Sequence, residues 1–182
     1  MTQVRALDEL LNKLVRDVPD YPQRGVVFKD ITPLLADHEG FSAVVDALAA
    51  AGRDADGTVV VDKVVGMEAR GFILAAPVAL ALGAGFVPVR KAGKLPGETY
   101  AVSYALEYGT ATLEVHSDGI DSGERVLLVD DVLATGGTAD ATRQLVERCG
   151  GIPHAMSVLI ELGFLHGRDA IGDLRLQALQ TV

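Results

Sequence analysis

The sequence predicts an α/β fold in which a mostly parallel central sheet is flanked by helices. Residues 58–90 and 125–160 carry this prediction, because each stretch follows the order strand, helix, strand with short turns between. A hydrophobic share of 49% with only 5% aromatic residues and no Trp indicates a core of Ala, Val, Leu and Gly. A chain of 182 residues has the length of one domain with a sizeable core, so we predict a single domain over residues 1–182.

The N-terminal quarter of the chain predicts two helices and one short strand. Apolar residues from Val4 to Val15 recur at helical spacing and indicate an amphipathic helix. Residues 17–23 contain two prolines and predict a turn, and residues 25–33 predict a short strand. Residues 41–51 predict a second amphipathic helix, which ends at Gly52.

The middle of the chain predicts the first strands of the sheet. Residues 58–61 are β-branched and predict the first central strand, and residues 66–82 predict a turn followed by a helix. Residues 95–109 lack steady periodicity and contain Pro and Gly, so they predict a loop. Further strands are predicted at residues 85–89, 111–116 and 155–160, with a C-terminal edge strand after residue 174 and a turn at residues 118–123.

The most informative stretch is residues 125–138, RVLLVDDVLATGGT. Its apolar run is typical of a strand covered on both faces in a parallel sheet, and Asp130 and Asp131 follow where we expect that strand to end. Residues 134–138 then form a glycine turn, behind which an amphipathic helix begins. Gly150 and Gly151 end that helix.

A glycine turn at a helix N-terminus suits a phosphate, because its backbone N–H groups are unpaired and glycine admits close approach. Thr135 and Thr138 can add hydroxyl donors. Two adjacent carboxylates would repel a phosphate unless they face hydrogen-bond donors or a cation, and a vicinal diol or Mg²⁺ meets that condition. The pattern therefore outlines a ribose 5-phosphate site. The alternative interpretation is a solvated acidic turn beside a glycine loop.

Composition excludes several classes of function. A net charge of −9 argues against general binding to nucleic acid or to an anionic membrane surface. The one cysteine, Cys149, excludes an internal disulfide, and no stretch reaches the ~18 apolar residues of a membrane span. We therefore expect a cytoplasmic protein. The four histidines are scattered without metal-ligand spacing.

Two further segments are candidates for anion binding. Gly66 and Gly71 have the spacing of a P-loop, but Phe72 and Ile73 stand where Lys and Ser or Thr are required, which argues against a nucleoside triphosphatase. Residues 90–94 place three cations in five positions at a predicted strand end of an otherwise acidic chain. Solvated surface charges are the alternative explanation for that cluster.

VLLVDDVLATGGT closely resembles the phosphoribosyl-pyrophosphate (PRPP) motif of the type I phosphoribosyltransferases. Three other segments resemble the adenine-specific branch of that family and, with it, cover most of the chain. Residues 25–33 resemble its G-V-x-F-[RK]-D-I-[ST]-P signature, and residues 68–72 its E-A-R-G-F loop. Residues 90–109 resemble its mobile catalytic loop, from R-K-x-G-K-L-P-G to L-E-Y-G. Met67, where Ile or Leu is frequent, is a departure that affects packing only.

The resemblance implies the type I phosphoribosyltransferase fold, with a small hood from the N-terminal segment and a flexible catalytic loop. It implies a transferase of purine salvage that makes AMP and pyrophosphate from adenine and PRPP. Mg²⁺ would be carried by PRPP or pyrophosphate, with no direct metal ligand from the protein. A homodimer is implied as well, with loop cations contributed across its interface, and neither nucleic acid nor membrane is an expected partner.

The resemblance also implies the roles of individual residues. Asp130 and Asp131 are implied to accept from the ribose hydroxyls, Glu107 to exchange a proton with adenine, and Tyr108 to close the site. Phe28 and Val132 would sandwich the base. The other substrate-binding residues implied are Val27, Lys29, Arg70, Arg90, Lys91, Lys94, Leu133, Ala134, Thr135, Gly136, Gly137 and Thr138.

Two alternatives remain open at this stage. The first is a phosphoribosyltransferase for guanine, hypoxanthine or xanthine, which the Phe28 segment and residues 106–109 disfavour. The second is a regulator of related fold that senses PRPP and binds nucleic acid. The second would need a basic face or an attached DNA-binding domain, which the net charge of −9 and the start of the first helix near residue 4 disfavour.

Overall fold

The computed structural model describes residues 2–105 and 109–182, with side chains from residue 7 onwards. The chain forms two compact units, residues 1–46 and 47–182. The prediction of a single domain over the whole chain stays a prediction. No helix within the described ranges has both the length and the apolar character needed to cross a membrane.

The first unit contains two helices, a small sheet and the beginning of a third helix. Strands β1 and β2 pair antiparallel, with Val18 opposite Phe28. The prediction of a turn over residues 17–23 was wrong in its first half, because ladder pairing with β2 draws the chain from Arg16 onwards into a strand. The elements of this unit are α1 (Thr2–Leu14), β1 (Arg16–Pro19), β2 (Val27–Asp30), α2 (Thr32–Ala36) and the first part of α3 (His38–Ala49).

The second unit is built on a seven-stranded sheet of order β5-β6-β4-β3-β7-β8-β9. Strands β4, β3, β7, β8 and β9 run parallel, and the β5–β6 hairpin adds antiparallel strands at the β4 edge. The predicted mostly parallel sheet is confirmed. Its elements are β3 (Lys63–Met67), α4 (Arg70–Leu82), β4 (Gly85–Lys91), β5 (Thr99–Ala105), β6 (Thr110–His116), β7 (Arg125–Leu133), α5 (Gly137–Arg148), β8 (Ile152–Glu161), α6 (Gly167–Ile171) and β9 (Leu176–Thr181), with 3₁₀ turns at Ala50–Gly52 and Gly163–Leu165.

Strand β7 lies at the centre of this sheet and supplies much of the core. Its four residues 126–129 are completely buried, as the unbroken apolar run predicted. Leu145 and Val146 of α5 belong to the same apolar cluster. The helix that follows β7 is thereby held against the sheet, and its N-terminus is fixed beside the end of the strand.

Strand β7 is longer than predicted, because it continues through both aspartates to Leu133. Its pairing with β3 ends at Val129, whereas its pairing with β8 continues to Leu133. Asp130 and Asp131 therefore lie inside a strand, at the level where one of its two neighbours has already stopped. Beyond Val129 strand β7 is paired with β8 and no longer with β3, so acidic residues are tolerated at this edge of the sheet.

The first central strand was predicted in the wrong place. Residues 58–61 make one isolated bridge, between Val59 and Arg53, and the strand is Lys63–Met67. The Asp54 carboxylate accepts hydrogen bonds from the backbone N–H groups of Asp56 and Thr58, which holds the preceding chain in a turn. Lys63 can begin the strand because its ammonium group reaches Glu124, 3.4 Å away.

The loop predicted over residues 95–109 contains a strand. Thr99–Ala105 forms β5 and pairs residue by residue with β6, and Val102 points into the core with only 4% exposure. The sequence TYAVSYA hides this strand because Val102 is the one buried residue among its seven, so little of the strand belongs to the core. The prediction of a wholly irregular catalytic loop is corrected for residues 99–105, whereas residues 106–108 lie outside the described residues.

Candidate active site

The turn between β7 and α5 encloses a small cavity of about 80 Å³. Asp130, Val132 and residues 133–139 line it, so the predicted phosphate loop and one of the predicted acids share one concave surface. Gly136 precedes the first residue of α5 and has a φ of 84°, a left-handed conformation that glycine adopts without strain. The N-terminus of α5 therefore opens on this cavity, as a phosphate site requires.

The two glycines of the loop are also required by packing. A Cβ on Gly136 would collide with the backbone of Gly167 and lie 2.6 Å from the Ala170 Cβ. A Cβ on Gly137 would lie 2.9 Å from the ring of Tyr104. Glycine therefore lets α6 and the β5 strand approach the loop closely, a reason that the sequence pattern does not disclose.

Tyr104 of β5 is linked to this loop by a hydrogen bond. Its hydroxyl lies 2.9 Å from the Thr138 hydroxyl, and either oxygen can be the donor. The β5 segment is thus anchored to the first turn of α5. Tyr104 was not among the predicted site residues, because only the fold shows that its strand passes the phosphate loop.

The aspartate pair lies beside Arg70, the first residue of α4. Arg70 Nε lies 2.7 Å from Asp131 Oδ2, and the Asp131 side chain is 8% exposed. The N–H does not point along a hydrogen-bond direction, so the contact is an ion pair and Asp131 Oδ2 has no hydrogen-bond donor among the described residues. Gly71 is needed beside this pair, since a Cβ there would lie 2.7 Å from Asp130 Oδ1.

Asp130 has unusual electrostatics. Its burial raises the pKa of its carboxyl group well above the ordinary value, and the adjacent Asp131 carboxylate raises that pKa further. The Asp131 backbone N–H donates to Asp130 Oδ1 at 2.9 Å and acts in the opposite direction. Perturbed pairs of carboxylates of this kind are characteristic of functional sites.

A second cluster forms around Glu68, just before α4. Its carboxylate accepts hydrogen bonds from Arg90 Nε at 3.3 Å, from the Lys91 backbone N–H at 3.0 Å and from Lys94 Nζ at 3.0 Å. Burial alone would raise the pKa of Glu68, but these donors and the charges of Lys94 and Arg90 outweigh it and lower that pKa. The Glu68 carboxylate therefore binds three residues of the predicted pyrophosphate-binding segment.

Glu68 was missed by the sequence analysis, although it stands in the E-A-R-G-F segment. The available signal was charge: an acid two residues before Arg70, followed in the chain by a strand that ends in three cations. Sequence alone does not show that the two strand ends are neighbours. The structure shows it, because β3 and β4 pair in parallel with Met67 opposite Val89.

Three of the residues predicted to contact the base, Val27, Phe28 and Lys29, lie on β2 of the first unit, whereas Val132 lies on β7 of the second. Phe28 is half-buried, and its ring packs edge-on against Tyr21 with centroids 5.1 Å apart. Lys29 Nζ lies 2.7 Å from Asp17 Oδ1, and Val27 is 50% exposed. This strand presents an exposed apolar side chain next to an aromatic one, a combination suited to a flat base.

The remaining predicted residues are placed as follows. The Leu133 side chain belongs to the core at 2% exposure, so only its backbone can reach a ligand. The structure brings Asp130 and residues 132–138 together on the cavity, with Arg70 paired to Asp131 beside it. Glu107 and Tyr108 lie outside the described residues.

Comparison with known proteins identifies the family. Residues 34–160 match the phosphoribosyl transferase domain. The adenine phosphoribosyltransferase of Nocardioides sp. (strain ATCC BAA-499 / JS614) is 70% identical over 169 residues, which are 93% of this chain and 91% of that protein. The chain belongs to the adenine phosphoribosyltransferases of the type I phosphoribosyltransferase family.

Solved structures of adenine phosphoribosyltransferases share the whole fold. The structure from Thermoanaerobacter pseudethanolicus ATCC 33223 has a TM-score of 0.90 and 46% identity, covering 97% of this chain and 99% of that one. The Saccharomyces cerevisiae enzyme, solved with adenine and an iminoaltritol bisphosphate, has a TM-score of 0.91 and 37% identity, covering 96% and 99%. The predictions of the family and of its fold are confirmed.

Proposed function

We propose that this protein is a purine-salvage enzyme that transfers the 5-phosphoribosyl group from PRPP to adenine, giving AMP and pyrophosphate. The observation that carries the proposal is the cavity at the end of β7. There the glycine turn at the start of α5 and the carboxylate of Asp130 line one concavity, and the Arg70–Asp131 pair adjoins Asp130. The glycine turn can bind a phosphate group, the carboxylates can accept from a sugar diol, and Arg70 can stabilise a departing anion.

The 5-phosphate of PRPP binds at residues 134–138. Backbone N–H groups at the start of α5 donate to its oxygens, and the helix dipole favours its negative charge. Thr135 is exposed on this loop and supplies a hydroxyl. The hydroxyl of Thr138, held by Tyr104, supplies a second polar group at a fixed position.

Asp130 and Asp131 bind the ribose and stabilise the transition state. Their oxygens accept from the two ring hydroxyl groups, so the sugar is oriented before bond cleavage. As pyrophosphate leaves, positive charge develops on the anomeric carbon and ring oxygen, and a nearby carboxylate stabilises it. Adenine N9 then attacks that carbon from the face opposite the departing pyrophosphate.

The pyrophosphate of PRPP binds to the cations around Arg70. Arg70 can form paired hydrogen bonds to phosphate oxygens, and Arg90, Lys91 and Lys94 stand at the end of the neighbouring strand β4. Glu68 holds Arg90 and Lys94 side by side. These contacts keep cationic groups close to where negative charge accumulates on the leaving group.

Mg²⁺ accompanies PRPP, as is general in this family, and neutralises charge on the pyrophosphate. Within the described residues no group of three or more His, Cys, Asp or Glu side chains could hold a metal ion. Oxygen ligands are those that Mg²⁺ prefers, and the carboxylates of Asp130 and Asp131 are the oxygen-rich groups of the cavity region. They would face the ion chiefly through the substrate that carries it.

Phe28 is the proposed stacking partner of the base, because an aromatic face suits a flat purine ring. Backbone groups of residues 27–29 recognise the edge of the base, and Val132 contributes a flat apolar side chain. Glu107 exchanges a proton with the purine ring as N9 forms its bond to the anomeric carbon. Tyr108 closes the site. Pyrophosphate release then completes a cycle that is reversible.

The enzyme acts as a homodimer in the cytoplasm. The presence of one cysteine, half-buried directly after α5, suits a reducing compartment. A two-fold dimer allows the cations of residues 90–94 to act in either subunit. Analytical ultracentrifugation, with and without PRPP, measures the state of assembly.

The direct test is to incubate the protein with PRPP, Mg²⁺ and adenine and to measure AMP and pyrophosphate, which should form in equal amounts. The variant Asp130→Asn with Asp131→Asn should remove most turnover. Asp118→Asn, on the exposed turn after β6, is the matched control and should retain it. Absence of AMP with the wild type, or near-normal turnover by a folded double variant, would contradict the proposal.

A further inference from the structure

Three donor-bearing side chains meet at the end of the sheet where β7 begins. Arg125 Nη2 lies 2.8 Å from His154 Nδ1, and Arg175 Nη2 lies 3.1 Å from His154 Nε2. One imidazole ring is therefore held between two guanidinium groups. Strand β7 runs for nine residues from Arg125 to Leu133, so this cluster lies about 25 Å from the phosphate loop.

The hydrogen bonding of this cluster is incomplete. A neutral imidazole has one nitrogen that accepts and one that donates, and a guanidinium group only donates. At most one of the two contacts of His154 can be a hydrogen bond, and at the other contact an N–H group faces a guanidinium group. An anion beside the ring could accept from both arginines and would stabilise a protonated imidazole between them.

The positive charge of the cluster is not neutralised by carboxylates. Within the described part of the chain, neither Arg125 nor Arg175 has a carboxylate oxygen within 4.0 Å. The nearby Asp62 carboxylate is directed at the Arg125 backbone N–H at 2.7 Å. Two arginines that share one imidazole ring and have no carboxylate partner within this distance are unexpected in a chain of net charge −9, and they mark a place where an anion would be stabilised.

His154 is placed there by an irregularity in the sheet. Val126 pairs with Pro153 and Leu127 with Ala155, so His154 is the extra residue of a β-bulge in β8. Bulges of this kind re-aim a side chain and are frequent at functional positions. The ring and Arg175 also line an open cleft of about 570 Å³, which gives a ligand room to enter.

We propose that Arg125, His154 and Arg175 form a second binding site, for the phosphate group of a small phosphate monoester. The two guanidinium forks match the oxygens of a tetrahedral dianion, and a protonated imidazole between them adds positive charge. Asp169 and Asp173 on the rim of the cleft would repel a long polyanion but can accept from the hydroxyl groups of an ester. The site therefore selects a small ligand over nucleic acid.

The protonation of His154 reports on this site directly. Partial burial lowers the pKa of His154, and the charges of Arg125 and Arg175 lower it further. A bound dianion would reverse the effect of those charges and raise the pKa of His154. The other charged groups near the cluster are Asp62, which accepts from the Arg125 backbone N–H, and four residues that line the same cleft as His154: Arg143, Glu147, Asp169 and Asp173.

The test is an NMR pH titration of the His154 ring, assigned by its loss in His154→Gln. Inorganic phosphate and glycerol 3-phosphate are compared with sodium chloride at equal ionic strength. The pKa of His154 should be higher in both phosphate solutions, with glycerol 3-phosphate effective at the same or lower concentration. An equal pKa in phosphate and chloride overturns the site, and an effect of inorganic phosphate alone overturns the monoester.

Variants separate this site from general anion effects. Arg125→Gln, whose side chain contacts only His154 in the described structure, and Arg175→Gln should each weaken the phosphate effect at least ~10-fold. Arg143→Gln is the control, because Arg143 lines the same cleft but is paired with Asp140 and Glu147. A phosphate effect that persists in Arg125→Gln contradicts the proposal even if Arg175→Gln fails to fold.

Discussion

Arg70 Nε lies 2.7 Å from Asp131 Oδ2, an ion pair that joins the start of α4 to strand β7. The two residues were assigned to different parts of the substrate, the arginine to the pyrophosphate and the aspartate to the ribose. The contact shows that the residue assigned to the pyrophosphate and the residue assigned to the ribose are direct neighbours. It also gives the nearly buried Asp131 side chain a counter-charge.

Replacing Arg70 should therefore impair turnover strongly. Arg70→Gln removes the charge next to the proposed leaving group, and kcat/KM should fall ~100-fold or more. Arg70→Lys keeps the charge but loses paired hydrogen bonding, so it should lie between that variant and the wild type. Steady-state kinetics with varied PRPP measure both. Arg143→Gln is the control, and an Arg70→Gln enzyme within about threefold of wild type would rule out the role.

The raised pKa of Asp130 predicts an effect on stability. Below the ordinary pKa of 3.8 the residue is protonated in both the folded and the unfolded chain, so its ionisation does not affect the free energy of unfolding. As pH rises through the higher folded pKa, the unfolded chain has already ionised, so the wild type loses stability. Asp130→Asn cannot ionise and should escape this loss.

Urea unfolding of both proteins between about pH 4 and pH 8 measures this difference. The free energy of unfolding of Asp130→Asn should increase relative to that of the wild type as pH rises. Asp118→Asn, an exposed substitution, should show no such trend. A wild-type-to-variant difference that is constant with pH would show that folding does not raise the pKa of Asp130.

Glu68→Gln should destabilise the fold near its cation cluster. The variant loses the charge that binds Arg90 and Lys94, at a cost of ~1–3 kcal/mol at neutral pH. Because the pKa of Glu68 is lowered, its contribution is present above the unfolded value and is lost as pH falls through the folded one. The difference from the wild type should therefore shrink in acid.

Glu147→Gln is the matched control for Glu68. Its carboxylate also pairs with an arginine, but it is 48% exposed and should contribute little. Urea unfolding at neutral and acid pH compares the two variants. If Glu68→Gln were as stable as Glu147→Gln at neutral pH, the cluster around Glu68 would not contribute to the stability of the fold.

Glu107 is predicted to act by proton transfer. Glu107→Gln should lower kcat by ~100-fold or more while leaving PRPP binding almost unchanged, and Glu107→Leu should be no better. Steady-state kinetics and equilibrium PRPP binding measure the two effects separately. A large rise in the KM for adenine at constant kcat would make Glu107 a binding residue instead.

The central motif could be predicted from sequence because each part is local. An apolar run, a glycine turn and an amphipathic period gave β7, the turn and α5 in the right order. The end of β7 could not be predicted, since it depends on β8 pairing as far as Leu133 after β3 has stopped. Local propensity does not report how far a neighbouring strand extends.

Other features required the tertiary structure. The β-branched residues 58–61 have strand propensity, yet the Asp54 turn and the register with β4 and β7 place β3 at Lys63–Met67. The association of Glu68 with Arg90 and Lys94 joins residues 22 and 26 positions apart. Such contacts follow from the packing of parallel strands, which a periodicity pattern does not specify.

The choice of base tests the central claim most directly. The protein is supplied with PRPP and Mg²⁺ and with adenine, hypoxanthine, guanine or xanthine in separate reactions, and nucleotide formation is followed. Because the wrong base leaves buried polar groups unpaired, kcat/KM for adenine should exceed that for hypoxanthine or guanine by at least ~100-fold. A comparable kcat/KM for guanine would contradict the account.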